Sequence, residues 1–197
     1  MPIEEAQSII AARATELREQ LAAKTSDWAG PITLEIGCGH GHFMAAYAAA
    51  HRDERCLAVD IILERLERAQ KKTDRAGLTN VVFLRAEARL LVENLPASLQ
   101  LQRVFVLFPD PWPKRRHHKN RLLQADFLAD LARRCTPDAR LYFRTDHEPY
   151  FAEVADLLQE HPNWRCVDEF WPFEQATVFQ NRAPSYQSCV AALQSPL

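Results

Sequence analysis

The chain has 197 residues, 47% apolar and 25% charged, with 24 Lys and Arg against 26 Asp and Glu for a formal net charge of −2. That length suits a single domain over 1–197, and the near-neutral balance excludes a generally basic protein that coats nucleic acid, leaving room only for a local cationic patch. No apolar run approaches the ~20 residues of a membrane span, and the acidic start MPIEEAQ lacks the order of a signal peptide, so a cytoplasmic protein with no membrane partner is expected.

Residues 3–23 place Ile3, Ile9, Ile10, Leu17 and Leu21 among Ala, Glu, Gln and Arg. This pattern predicts an amphipathic helix within 1–24, on the domain's edge, ahead of the main fold over 30–197. Short apolar runs at 32–36, 56–60, 81–84, 104–108 and 141–144 then alternate with helix-forming stretches at 41–50, 61–76, 88–95, 121–134 and 148–160. Strand, crossover helix and strand in that rhythm build a parallel sheet covered on both faces, so a doubly wound, Rossmann-like α/β fold is expected. Stretches 165–170 and 176–193 are β-prone with no strong helix between them, which predicts a C-terminal antiparallel hairpin and a mixed sheet.

Gly37-Cys38-Gly39-His40-Gly41 fills the first strand-to-helix turn with three of the chain's five glycines. Glycines there let the backbone approach a ligand at the carboxyl end of the sheet, which implies a nucleotide-like cofactor. Asp60, ending the second strand, is placed to accept from ribose hydroxyls and does not by itself separate NAD from S-adenosylmethionine. His42 stands where a dinucleotide fingerprint wants its third glycine. Glu35, two residues before the loop, is a costly buried acid unless it faces an ammonium or backbone donors. With Glu87 and Asp110, four acids on strand ends suit a cationic cofactor, although Glu87 equally suits the N-terminus of the next helix.

The fourth strand runs into FPDPWPKRRHHKNR at 108–121. Pro109, Pro111 and Pro113 stop both strand and helix, presenting Asp110 and Trp112 on a stiff turn. Lys114, Arg115, Arg116, Lys119 and Arg121 follow as five cations suited to a polyanion's phosphates. Asp146 ends the fifth strand in the same crevice, or caps the helix over 148–160. Cys38, Cys56, Cys135, Cys166 and Cys189 are scattered without ligand spacing, and adjacent His117 and His118 diverge, so reduced, mostly buried thiols and no metal are expected.

Taken together, LEIGCGHGHF, AVDI, RAEA, FPDPWPKRRHHKNR and RTDHEPY resemble the tRNA (guanine-N7-)-methyltransferase family over roughly 30–190. The resemblance implies a class I methyltransferase fold, S-adenosyl-L-methionine as donor, and methylation of a guanine in the tRNA variable loop, usually position 46. It implies cofactor contacts at Glu35, Asp60, Glu87 and Asp110 beside Gly37, Gly39 and Gly41, with Asp110 also the catalytic acid. It also implies substrate contacts at Lys114, Asp146, Thr177, Val178, Phe179 and Gln180, the last replacing the family's usual Glu in TxFE. Guanine N7 carries no proton, so positioning and electrostatics at Asp110 are expected to dominate over base catalysis. A monomer or homodimer is expected. The competing readings are a small-molecule methyltransferase and an RNA-binding protein on this fold without activity, with an NAD-dependent oxidoreductase third.

Overall fold

The computed structural model describes residues 3–176, 180–181 and 183–194. Its elements in chain order are α1 (Ile3–Lys24), β1 (Gly30–Ile36), α2 (His42–Ala50), β2 (Arg55–Asp60), α3 (Leu63–Arg75), β3 (Val81–Arg85) and α4 (Ala88–Asn94). There follow β4 (Leu99–Leu107), a 3-10 helix (Arg115–Asn120), α5 (Ala125–Ala132), β5 (Cys135–Thr145), α6 (Glu148–Glu160), β6 (Trp164–Val167) and β7 (Gln187–Leu193).

The strands form one mixed sheet in the order β3-β2-β1-β4-β5-β7-β6. β1 to β5 are parallel, and β7 runs antiparallel between β5 and β6. The expected doubly wound fold and its antiparallel end are both present, with β6 and β7 separated by a long connection instead of a tight turn. β4 shows why the central strands read so plainly. Val104 and Val106 enter one apolar cluster while Phe105 and Leu107 enter the other, because successive side chains alternate faces. A strand buried on both faces has no polar side, hence the unbroken apolar run.

One face of the sheet is covered by α1, α4, α5 and α6, through residues such as Leu21, Leu91, Phe127 and Tyr150. The other is covered by α2 and α3, through Phe43, Met44, Tyr47, Leu66 and Ala69, and by Trp171 and Phe173 from the segment after β6. Among the described side chains of α1, those that reach the core are Leu17 and Leu21 in its later turns; Ile9 and Ile10 of the expected apolar stripe are exposed. Of the five thiols expected to be mostly buried, Cys38 and Cys56 are buried, Cys135 and Cys189 partly so, and Cys166 is exposed. No helix among the described residues is long and apolar enough to cross a membrane.

Because β1 to β5 are parallel, their carboxyl ends share one edge, and Ile36, Asp60, Arg85, Leu107 and Thr145 mark it. The turns leaving that edge carry the residues that follow.

Candidate functional site

The turn after β1 is held by backbone bonds. Gly37 and Cys38 N–H both donate to the Val59 carbonyl, at 2.8 and 3.0 Å, and Gly41 N–H donates to the Cys38 carbonyl at 2.8 Å. Gly37, Gly39 and Gly41 all have positive φ, at 76°, 53° and 63°, the region that glycine enters without a Cβ penalty. Their surroundings divide them. A Cβ on Gly37 or Gly39 meets nothing within 4 Å, leaving open space over the loop, whereas on Gly41 it falls 2.6 Å from Ala69 Cβ and 2.8 Å from Phe83 Cε1. Gly41 therefore allows α2 to start hard against α3 and β3.

Asp60 closes the loop from β2. One carboxylate oxygen accepts from Gly39 N–H at 2.9 Å, the other from Ile62 N–H at 2.8 Å, and Arg65 Nη1 lies 3.9 Å away. Each oxygen keeps a second lone pair for a further donor. Ile61, next in sequence, is 63% exposed, and its carbonyl accepts from Arg85 Nε at 3.1 Å. An exposed isoleucine beside a buried acid is an apolar platform that the sequence reading passed over.

Glu35 is 2% exposed on β1, and its Oε2 is buried without a hydrogen-bond partner. Burial pushes its pKa up to about 8; the Met44 backbone amide offsets part of that rise, and the negative Asp60 adds to it. A buried carboxyl with an orphan oxygen under open glycine backbone fits a ligand that brings a cation or a donor. Cys38 beside it is also held well above the usual thiol range, by burial and then by Glu35 and Asp60. It is an inert packing thiol.

Glu87 leaves β3 as the N-cap of α4, its Oε2 accepting from Leu90 N–H at 3.0 Å. Of the two roles the sequence left open for it, the helix cap is the one seen. Asp146 is exposed after β5 and does not cap α6. That role belongs to His147, whose Nδ1 accepts from Tyr150 N–H at 3.1 Å, so Asp146 is left facing solvent at the crevice edge.

The turn after β4 is strained. Phe108 and Trp112 have φ of 51° and 45°, the only non-glycine residues of positive φ among those described. Such backbone in bulky residues costs about 1–3 kcal/mol each and persists where surrounding contacts impose it. Here Phe108 N–H donates to the Arg144 carbonyl at 2.7 Å, the Phe108 ring meets Tyr186 edge-on at 5.9 Å, and Trp112 meets His117 at 5.9 Å. Asp110 stands exposed between the two strained residues, and Lys114, Arg115, Arg116 and Lys119 are exposed beyond it.

Arg121 corrects the sequence reading. It was expected to meet phosphate, yet it is 2% exposed. Its Nε donates to the Pro111 carbonyl at 2.8 Å, its Nη1 pairs with Glu153, and its guanidinium lies 4.7 Å from the Tyr150 ring centroid. It braces the proline turn from beneath and is out of reach of a polyanion.

At the exit of β5, Arg144 is 4% exposed and lies over Trp171 and Tyr186, at 4.1 and 4.7 Å from their ring centroids. Glu174 grips it with both oxygens, at 2.9 and 2.7 Å, and Ser188 Oγ accepts from its Nε at 2.8 Å. Gln180 joins the group, its Oε1 accepting from Arg144 Nη1 at 3.4 Å and its Nε2 donating to Tyr186 OH at 3.1 Å. The cation beside Gln180 therefore has its acid from Glu174, whose carboxyl Arg144 holds below the usual range. No spacing in the sequence signalled Glu174. Thr177, Val178 and Phe179, expected beside Gln180, lie outside the described residues.

A protein-family model described as "Putative methyltransferase" matches residues 29–191. The chain is 40% identical over 134 residues to the tRNA (guanine-N(7)-)-methyltransferase of Streptomyces avermitilis, covering 68% of this chain and 46% of the relative. It is 38% identical over 150 residues to the protein of the same name from Syntrophotalea carbinolica, covering 73% and 65%. The chain thus spans about half to two thirds of the length of these curated relatives. Among solved structures, the 16S rRNA methyltransferase KamB superposes with a TM-score of 0.61 at 17% identity, over 90% of this chain and 94% of that one, a likeness of fold.

Proposed function

The chain belongs to this methyltransferase family, and from that premise we propose that it transfers a methyl group from S-adenosylmethionine to N7 of a guanine in the variable loop of tRNA. The observation that carries the reading is the strained turn after β4. It sets the exposed Asp110 at the same sheet edge as the glycine loop, with four exposed cations directly behind it. The names borne by relatives at 38–40% identity support the same substrate.

The residues present fit the cofactor. Glu35, with its orphan oxygen, would take the ammonium, Asp60 the ribose hydroxyls through its remaining lone pairs, and Ile61 one face of the adenine, while Gly37 and Gly39 let backbone approach. Glu87 would add its acid from the cap of α4. When bound, S-adenosylmethionine supplies an electrophilic methyl group on a sulfonium.

The chain's own task is then to orient and to stabilise charge. Guanine N7 offers a lone pair and no proton, so no general base is required. Holding both reactants in line can supply about 7–11 kcal/mol. Asp110, carried between Phe108 and Trp112 on the proline turn, stabilises positive charge appearing on the guanine ring or accepts from the ring's N–H donors. Asp146, freed from capping, faces the same crevice and can read the donor edge. Lys114, Arg115, Arg116 and Lys119 neutralise phosphates around the target base.

The Asp110→Ala variant tests this directly. With labelled S-adenosylmethionine and unmodified tRNA, followed by strand cleavage at 7-methylguanine, turnover should fall by about 10²-fold or more, with an unchanged melting curve. Undiminished turnover would remove Asp110 from the chemistry.

A further inference from the structure

We propose that the basic stripe of α3, carried by Arg68, Lys71, Lys72 and Arg75, is a second docking surface for the RNA backbone, on the opposite side of the glycine loop from the turn after β4. The proposal rests on the tRNA reading and extends it to residues which that reading leaves unused.

The four cations stand at i, i+3, i+4 and i+7, so they form one stripe, and together with Ala76 they line a single surface depression. A merely solvated helix face is normally laced with acids at i, i+4. Here acids do stand four residues before Arg68 and Lys71, at Glu64 and Glu67, but like charges also fall at 68/72 and at 71/75, an arrangement that destabilises a helix. Arg68 has an exposed partner in Glu64 at 2.6 Å. Among the described residues no carboxylate lies within 4 Å of Lys71, Lys72 or Arg75. Of the other acids on α3, Asp74 accepts from Gln70 at 2.8 Å, and Glu67 is exposed.

Lys72 ties the stripe to the ligand edge. Its ammonium donates to the His40 carbonyl at 3.2 Å and contacts His42 Nδ1 at 3.0 Å, with the His40 and His42 rings 6.2 Å apart. Burial and then the neighbouring Lys72 ammonium hold His42 below its usual range, and burial lowers Lys72. Among the described residues Lys72, His40 and His42 are paired with no carboxylate, and an incoming anion would supply the missing charge. Phosphate oxygens suit lysine's point charge, with no demand for base identity.

The placement fits one long polyanion. α3 leaves β2, the PDPWP turn leaves β4, and β1 with its glycine loop lies between them. At strand spacings the two exits are about 10 Å apart, and Lys71 and Arg75 lie roughly two to three turns further along α3, so the two cationic surfaces suit separate phosphates of one folded RNA, on either side of an extruded base.

The experiment compares the native chain with the Lys71→Gln/Arg75→Gln double variant, which keeps Lys72 and its loop contacts. Filter binding of unmodified tRNA across a NaCl series should show the log–log salt slope falling by about 1.5–2 and affinity falling about tenfold. The kcat at saturating tRNA, the calorimetric affinity for S-adenosylhomocysteine and the melting curve should stay unchanged. An unchanged slope and affinity would overturn the surface. A native chain that methylates tRNA while its variant binds normally keeps the enzymatic reading and loses the surface. One that methylates no guanine, yet binds tRNA less salt-dependently after the double substitution, keeps the surface and loses the enzymatic reading. A native chain that binds no RNA overturns both.

Discussion

Glu35 is an acid placed where an ordinary carboxylate cannot stay charged, and this makes it the most testable residue of the chain. With its pKa at about 8 against 4.5 unperturbed, the folded protein holds a proton that the unfolded chain has released between those values. Stability from this group is thus complete below the unfolded value and is lost as pH rises through about 8. Glu35→Gln mimics the protonated form. Scanning calorimetry should find the variant melting several degrees above the native chain at pH 8 and level with it near pH 4, while its affinity for S-adenosylmethionine falls. A native chain that gains stability over the variant as pH rises would refute the burial account. Glu35 and Asp60 were legible from the sequence because strand ends, glycines and acids fall in one short register. Arg121 was not. Its partners Glu153 and Tyr150 come from α6, about thirty residues on, and a cation in a basic run looks the same whether it ends in solvent or beneath a turn.

At the scale of elements, the segment after β6 is pinned across the α2 face of the sheet. Trp171 meets Tyr142 edge-on at 5.5 Å, and Phe173 packs against Phe43, Tyr47 and His51 at 5.4–5.8 Å. Glu174 fastens the segment to Arg144, a buried cation with a half-exposed acid. Glu174→Gln should lower stability by about 1–2 kcal/mol, discounted from a fully buried pair because the acid is partly in water. It should also speed hydrogen exchange over 168–176. Adding Gln180→Glu should restore most of the loss, since that side chain already touches Arg144; failure to restore it would show that Glu174 does not stand in for an acid at 180. The five parallel strands were readable as apolar runs. The starts of β4 and β5 were hidden, because Gln100, Gln102, Asp138 and Arg140 reach solvent at the sheet's rim and break the pattern. The expected helix over 121–134 begins only at Ala125, with Arg115–Asn120 forming a 3-10 turn ahead of it.

Across the whole molecule, a mixed sheet divides two apolar layers, and α1 shows how unevenly a helix can share in them. Leu21→Ala should cost about 2–5 kcal/mol in denaturant unfolding. The double change Ile9→Ala/Ile10→Ala should fall within about 0.5 kcal/mol of the native chain, because both side chains are exposed; a large loss there would mean that the early turns of α1 are covered in solution. The sequence marked all these residues as one apolar stripe, and only tertiary packing separates them. The strand order carries one more consequence, for synthesis. β6 pairs with β7 alone, and β7 is encoded some twenty residues later. On the ribosome, where chains emerge from the N-terminus, the first five strands can assemble while β6 waits without a neighbour. A stop codon just before 187 would therefore cost the sheet two strands, β7 by loss and β6 for want of a neighbour, and would take from Arg144 its Ser188 partner while leaving Glu174 in the chain.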